Sequence, residues 1–418
     1  MLRSRPLQCW LTGLALALAN PGIAETASDD WSFDLTLRER ATLLTAIAYD
    51  ANDPAEGAFF TQRVTLTAAG PVSERVSATL SLVSALQGGA EPSPIERNNL
   101  DIQQGFFDVR FDDLTVRVGR QELWLGSQRL VATRDGTNVR RTFDGVRAFG
   151  QVGEWRWDAF GVNLVEVEPN GAFNDSRDSG RELAGVHVTG SVRGTSLDLY
   201  YLYAGFDDRA EVIGTADQRR HSLGFRAFGS RNAWYWNWEG IYQFGDHGDA
   251  DIDAWTLATN TGRKFAGAWS PEVMLSINVA SGDSDPDDDT LGTFNALYPR
   301  GDYFSAAAIL GPANFYNLHP YLRLSPSESL SLQFDVNLFW RLETNDGVYG
   351  PPGNLIRAPG GSNARFVSSA ASLSADWAPR ERLAFGVSLT HNRPERFLKD
   401  TGPADITNFV EFTFDLRF

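Results

Sequence analysis

The chain is nearly without cysteine and nearly without lysine. Its one cysteine, Cys9, lies close to the N-terminus, so disulfides and thiolate metal sites are excluded from everything that follows it. Lysine occurs only at Lys264 and Lys399, and the other 35 of the 37 basic residues are arginine. The formal charge of −16 argues against nucleic acid as a partner. Beyond the N-terminal segment no stretch reaches eighteen uninterrupted apolar residues, which excludes a transmembrane helix. The five histidines (His187, His221, His247, His319, His391) are scattered and form no HExxH pair. There is no G-x-S-x-G elbow and no phosphate loop ending in Gly-Lys-Ser/Thr, so no catalytic constellation is expected and the chain is not read as an enzyme. No unit repeats at fixed length, which counts against a propeller.

What is present begins with an address. Arg3 and Arg5 precede a short apolar run, LTGLALALA at 11–19, and the small residues Gly22-Ile23-Ala24. This is the layout of a secretory signal peptide, residues 1–24, too short to span a bilayer. Cleavage would remove two arginines and no acids, so −16 becomes −18. The remainder, 25–418, is expected to form a single domain.

From Trp31 onward the dominant period is two. Trp31, Phe33, Leu35 and Leu37 alternate with Ser32, Asp34, Thr36 and Arg38; Leu330 through Trp340 repeats the pattern. Eighteen such runs begin near residues 31, 59, 75, 99, 114, 142, 154, 182, 195, 219, 232, 252, 271, 315, 328, 364, 381 and 407. Many exceed the roughly five or six residues of globular strands and match the about 9–11 that a tilted strand needs to cross a bilayer. Turns after even-numbered runs are short, and those after odd-numbered runs are mostly long and polar, as at 49–58, 87–98, 126–141, 165–181, 281–314 and 342–363. The closing run alternates Val410, Phe412, Phe414, Leu416 and Phe418 with polar residues, a pattern resembling the signal read by the bacterial barrel-insertion machinery. The expected fold is therefore all-β: a transmembrane antiparallel β-barrel of about eighteen strands, with short periplasmic turns and long extracellular loops, in the outer membrane of a Gram-negative cell.

The chain is organised around residues 119–150. Six arginines (Arg120, Arg129, Arg134, Arg140, Arg141, Arg147) stand there against Glu122, Asp135 and Asp144. Guanidinium is a planar fork suited to carboxylates and phosphates. If the apolar parity faces lipid, Arg38, Arg40, Arg63 and Arg147 face inward near mid-height, since arginine against lipid would cost about 2–4 kcal/mol. They either guide solute or pair with inward acids such as Asp34, Asp108, Asp158, Asp198 and Glu239 to brace the wall. Strict alternation points Arg120 outward, unless Gly119 hosts a bulge. Residues 126–141 are expected to fold into the lumen as a constriction bearing Arg129, Arg134, Arg140 and Arg141; the alternative is an outer loop on lipopolysaccharide phosphates.

Several segments together resemble the alginate export family of outer-membrane porins. They are GRQEL (119–123), RDGTNVRRTFDGVR (134–147), NWEGIYQFG (237–245), ASGDSDPDDDTLGTFNALYPRGDYF (280–304), GPANFYNLHPYLRL (311–324) and DGVYGPPGNLIR (346–357). The resemblance implies an eighteen-stranded barrel passing acidic polysaccharide or sugar-acid solutes through an arginine-lined pore, with Arg63 and Arg120 as pathway residues. Gln103-Gln104 stands where a charged pair is expected in alginate exporters, a departure that argues against alginate itself. The expected partners are an anionic oligo- or polysaccharide or uronate, outer-membrane lipid and the insertion machinery. No cofactor is expected beyond a weak, loop-ordering calcium site at Asp283, Asp285 and Asp287; Pro286, and Asp288 in place of a turn glycine, rule out an EF-hand. Runner-up functions are a general anion-preferring porin for small acids, an outer-membrane barrel enzyme and a surface adhesin.

Overall fold

The computed structural model describes residues 30–52, 57–91 and 93–418. The expected signal peptide, its cleavage site and Cys9 lie outside them. Eighteen strands close into one antiparallel barrel. The first six are β1 (Ser32–Leu44), β2 (Gly57–Pro71), β3 (Val76–Gly88), β4 (Asn98–Arg110), β5 (Leu114–Gln121) and β6 (Phe143–Val152). Then come β7 (Trp155–Glu166), β8 (Ser176–Val192), β9 (Thr195–Glu211), β10 (Gly214–Arg231), β11 (Trp234–His247) and β12 (Ala250–Lys264). The last six are β13 (Glu272–Ala280), β14 (Phe315–Ser327), β15 (Leu330–Trp340), β16 (Phe366–Arg380), β17 (Leu383–Pro394) and β18 (Thr407–Arg417). Each pairs with its sequence neighbours, and β18 returns to β1 with Leu416 opposite Leu37 and Asp415 opposite Arg38, so the barrel has no free edge. One short helix, α1 (Arg396–Thr401), lies in the last long loop.

The strands start within two residues of the expected positions except β8 and β10, which begin earlier, at Ser176 and Gly214. Their extra residues are charged and polar, so they lack the apolar alternation that marks a lipid-facing strand. The long connections gather at one end. The exceptions are the tight turns 212–213 and 248–249, which cap hairpins at the long-loop end. At the other end residues 265–271 form the one extended turn.

Outside, the parity is apolar. Leu199, Phe225, Gly240 and Leu257 lie side by side across β9–β12, with Phe225 48% exposed. This row sits between the rings of Tyr201, Tyr203, Tyr242 and Phe244 toward the long loops and Trp234, Trp236 and Trp238 toward the short turns. An apolar band between two aromatic belts is the form of a barrel embedded in a bilayer. No helix among the described residues is long and apolar enough to cross a membrane.

Inside, the two ends differ. Phe160, Val162, Leu183, Leu202, Ala204, Phe206, Phe315 and Phe339 occupy inward or buried positions in the long-loop half, and the loops pack Leu130, Val131, Leu291, Phe294, Tyr298 and Leu310 against them. Half of the lumen is therefore filled by an apolar core. Gly119 keeps its ladder register with Phe106 and Gly145 and hosts no bulge; it takes φ +131°, and a Cβ there would sit 2.2 Å from the Gly105 carbonyl oxygen.

Phe225→Arg, between the aromatic belts, should lower unfolding free energy by about 2–4 kcal/mol. Urea titration in lipid bilayers would measure it, and an effect near zero would contradict a lipid-facing row.

Candidate functional site: a loop strut and the cavity beneath it

Where β5 and β6 stop, residues 122–142 leave the wall and cross the lumen. On one side Ser127 donates to Glu239 of β11, and Arg129 lies 2.9 Å from the same carboxylate with its guanidinium over the Tyr303 ring. Tyr200 donates to the other Glu239 oxygen at 2.7 Å. On the other side Asp135 is held by Arg63 at 2.8 Å, Arg38 at 3.1 Å and Arg140 at 3.1 Å. Arg40 donates to the Gly136 carbonyl at 2.6 Å. Asn138, fully buried, donates to the carbonyls of Gln62, Leu86 and Glu96. The segment is thus a strut fixed at both ends by opposite charge logic: a wall carboxylate takes its cation, and wall guanidinium groups take its carboxylate and carbonyls. Burial pushes the Asp135 carboxyl up, but Arg38, Arg63 and Arg140 outweigh it and hold the group well below the usual carboxylate range.

A second inward loop, residues 281–314, completes the bar. Val131 and Tyr298 form a parallel bridge, with Ala132 N–H donating to the Tyr298 carbonyl at 2.9 Å and Tyr298 N–H to the Leu130 carbonyl at 2.8 Å. Arg300 grips Asp302 through two contacts, 2.8 and 2.7 Å, beside Gly136.

The other arginines nominated from sequence are placed as follows. Arg147 forks onto Asp158. Arg120 forks onto Asp144 at 2.9 and 3.1 Å, lies 3.5 Å from Asp101 and donates to the Asp175 carbonyl. It thereby ties in residues 167–175, which fill the notch left above β5. Arg140 bridges Glu122 and Asp135. Arg134 and Arg141 meet no carboxylate at ion-pair distance among the described residues; their bonds go to the carbonyls of Val139, and of Ala132 and Pro299. Burial pushes Arg134 down to about 10 and Arg141 well down. All five acids expected to brace the wall hold an arginine: Asp34–Arg417, Asp108–Arg117, Asp158–Arg147, Asp198–Arg226 and Glu239–Arg129.

Beneath the strut, toward the short turns, opens a cavity of about 610 Å³. Ser127, Arg129, Arg300, Asp302 and Tyr303 line it from the loops; Tyr235, His319, Tyr321, Arg323 and Asp335 line it from the wall, with Ser372, Ser374, Ser388 and Thr390 opposite. Its cations are Arg129, Arg226, Arg231, Lys264, Arg300 and Arg323, against Glu272, Asp302 and Asp335. Two of the six are backed by Glu239 and Asp198, which stand outside the lining. Arg129 is the one nominated site residue in this lining. Arg300 and Tyr303 carry no local sequence signal of their own, but the run FNALYPRGDYF (294–304) around them is too apolar for a solvated outer loop.

In the acidic loop, Asp283 accepts from Asp285 N–H at 3.1 Å, Asp285 accepts from Asp287 N–H at 3.4 Å, and Asp283 N–H donates to Asp346. These carboxylates serve their own backbone, and no three metal-ligating side chains converge among the described residues. Burial, with Asp346 alongside, pushes the Asp283 carboxyl up to about 6.

The family model described as alginate export matches residues 29–411. No curated protein matches the chain. Among solved structures, OccD3 (OpdP) of Pseudomonas aeruginosa aligns at TM-score 0.66 and 13% identity over 96% of each chain. Acinetobacter baumannii OccAB2 aligns at 0.66 and 10%, over 94% of this chain and 99% of that one. A BenF-like porin from Pseudomonas fluorescens Pf-5 aligns at 0.64 and 12%, over 93% and 99%. At such identities the likeness is one of fold.

Asp135→Asn leaves Arg38, Arg63 and Arg140 facing one another, which should cost about 3 kcal/mol, as for breaking a buried pair, and raise open-channel current noise. Unchanged urea stability together with unchanged noise would show that the clamp does not hold the strut. The raised Asp283 carboxyl works the opposite way to a depressed one. Its contribution is fully present below the unfolded value of about 3.9 and is lost as pH rises through about 6. Amide protection in residues 281–314, taken relative to the unstructured-peptide exchange rate at each pH, should therefore be greater at pH 5 than at pH 8, and Asp283→Asn should flatten the difference.

Proposed function

The chain belongs to the alginate export family and forms an outer-membrane channel, and from that premise we propose that it passes anionic polysaccharide or sugar-acid solutes through a constriction lined by arginine. The observation that carries this reading is the cavity lining: six cationic side chains against three carboxylates, in a protein of formal charge −16. A low-dielectric wall focuses that local field on an entering anion. Guanidinium forks take carboxylates in a bidentate grip. The rings of Tyr235, Tyr303 and Tyr321 and the hydroxyls of Ser372, Ser374, Ser388 and Thr390 suit the faces and hydroxyl groups of a sugar. Glu272, Asp302 and Asp335 keep the hold weak enough for release, as conduction requires.

On this reading Arg129, Arg300 and Arg323 meet the solute, while Arg38, Arg40, Arg63 and Arg140 hold the strut that narrows the passage. Arg120 and Arg147 brace the wall; Arg134 lies within electrostatic reach of Glu96, and Arg141 adds positive charge with no carboxylate at ion-pair distance among the described residues. A second reading, a general anion-preferring porin for small acids, is favoured by the packed long-loop half of the lumen.

Planar-bilayer recording of the purified full chain tests both. Reversal potentials in a potassium chloride gradient should show anion preference, and glucuronate should block chloride current. Arg300→Gln with Arg323→Gln should weaken that block about tenfold, the scale of one charge-assisted contact. Block by a uronate oligomer at lower concentration than the monomer supports the polysaccharide reading, and equal block supports the small-acid porin. Cation preference would overturn the proposal.

A further inference from the structure

His319 and Tyr321 lie on the same inward side of β14 and line the cavity. His319 is 2% exposed and bonded at both ring nitrogens. Nε2 lies 2.8 Å from an Asp335 carboxylate oxygen, and Nδ1 lies 2.7 Å from the Tyr321 hydroxyl. Tyr321 is half-buried, and Ser276 is a second partner of its hydroxyl. The Ser276 proton is already given to Asn260 Oδ1 at 2.6 Å, so that serine can only accept from tyrosine.

The bonding fixes the direction of each proton. An ionised carboxylate accepts only, so His319 Nε2 carries hydrogen and donates to Asp335. In the neutral ring Nδ1 is then a lone pair, and Tyr321 must donate to it. The hydroxyl offers the cavity lone pairs alone, which repel a carboxylate. Protonation at Nδ1 reverses the bond: the imidazolium donates to the Tyr321 oxygen, and the phenolic hydrogen has to point elsewhere, to Ser276 or to an acceptor in the cavity. The hydroxyl then has a hydrogen to give, to Ser276 when the cavity is empty and to a carboxylate that enters it, backed by a positive ring that Asp335 holds in place.

We infer that Tyr321 is a specificity-determining hydroxyl whose hydrogen-bond polarity is set by the protonation of His319, so that the channel holds carboxylate solutes more tightly in mild acid. This rests on the reading of the cavity as an anion pathway. The charged and titratable groups that line the cavity with the pair are Arg129 from the strut, Arg300, Asp302 and Tyr303 from residues 281–314, Arg226 and Arg231 of β10, Tyr235 of β11, Lys264 of β12, Glu272 of β13, Arg323 of β14 and Asp335 of β15, with Asp376 of β16 within electrostatic reach of Arg323. Among these residue types histidine is the one whose free form titrates between pH 5 and pH 8.

Glucuronate, whose carboxyl stays ionised across that range, is the probe. Its blocking constant on the reconstituted full chain should fall about tenfold from pH 8 to pH 5, the worth of one hydrogen bond to a charged group. Tyr321→Phe should cut the change to less than about threefold, the part owed to imidazolium charge alone. His319→Gln should abolish it, and this variant decides the matter if Tyr321→Phe does not fold. Block that is equally strong at both pH values, a full tenfold change kept in Tyr321→Phe, or one kept in His319→Gln overturns the switch while leaving the anion pathway standing. Absence of glucuronate block at both pH values overturns the pathway reading and the switch with it.

Discussion

A backbone in hydrocarbon has no water to bond with, so every N–H and C=O must find a partner within the protein. Here the constraint is met by the return of β18 to β1. Once the ladder is closed, one parity of each strand has to be apolar, and the other parity is enclosed in a cylinder too wide for side chains alone to fill. The remaining features of the molecule are ways of handling that enclosed space.

The lumen is handled in two ways. Toward the long loops it becomes a packed interior: inward Phe160, Leu202 and Phe206 meet loop residues Val131, Phe294 and Tyr298, an ordinary hydrophobic core built inside a membrane protein. Toward the short turns it stays polar and leaves a cavity. The strut marks the border, and its anchors explain why so many arginines are needed. A loop crossing open space has few neighbours, so each contact has to be strong, and convergent guanidinium–carboxylate ion pairs are. Arg38, Arg63 and Arg140, which together surround Asp135, and Arg129 on Glu239, are the points where this is done.

The wall was the more legible part in the sequence. The two-residue rhythm marked most strand starts, because outward Leu, Phe and Trp alternate with inward polar residues. It failed where both parities are apolar, as over Leu199–Phe206, and so it gave no warning that half the lumen is packed. It also failed at the charged tops of β8 and β10. The crossing of residues 126–141 was foreseeable because a dense run of arginine in an acidic chain needs a reason to be there. The cavity lining was not, apart from Arg129. Arg300 and Tyr303 reach it through a chain reversal in residues 281–314 that local pattern does not encode, and His319 with Tyr321 is an i,i+2 pair whose significance appears only when Asp335 arrives from the next strand.

The distribution of charge ties these parts together. Seven of the nine arginines named from the sequence pair with carboxylates, so the waist is not a bare ring of positive charge. A bare ring would be self-repelling, would destabilise the strut that carries it, and would hold a multivalent anion too tightly to pass. Under the proposed anion pathway, pairing the strut arginines while leaving a modest surplus in the cavity resolves the conflict: the pairs would supply rigidity and the surplus attraction. The same division explains why arginine rather than lysine was used. A guanidinium group can bond a carboxylate along one edge and keep N–H donors in a fixed plane along the other, so under the proposed anion pathway a single side chain could brace the wall and still face a solute.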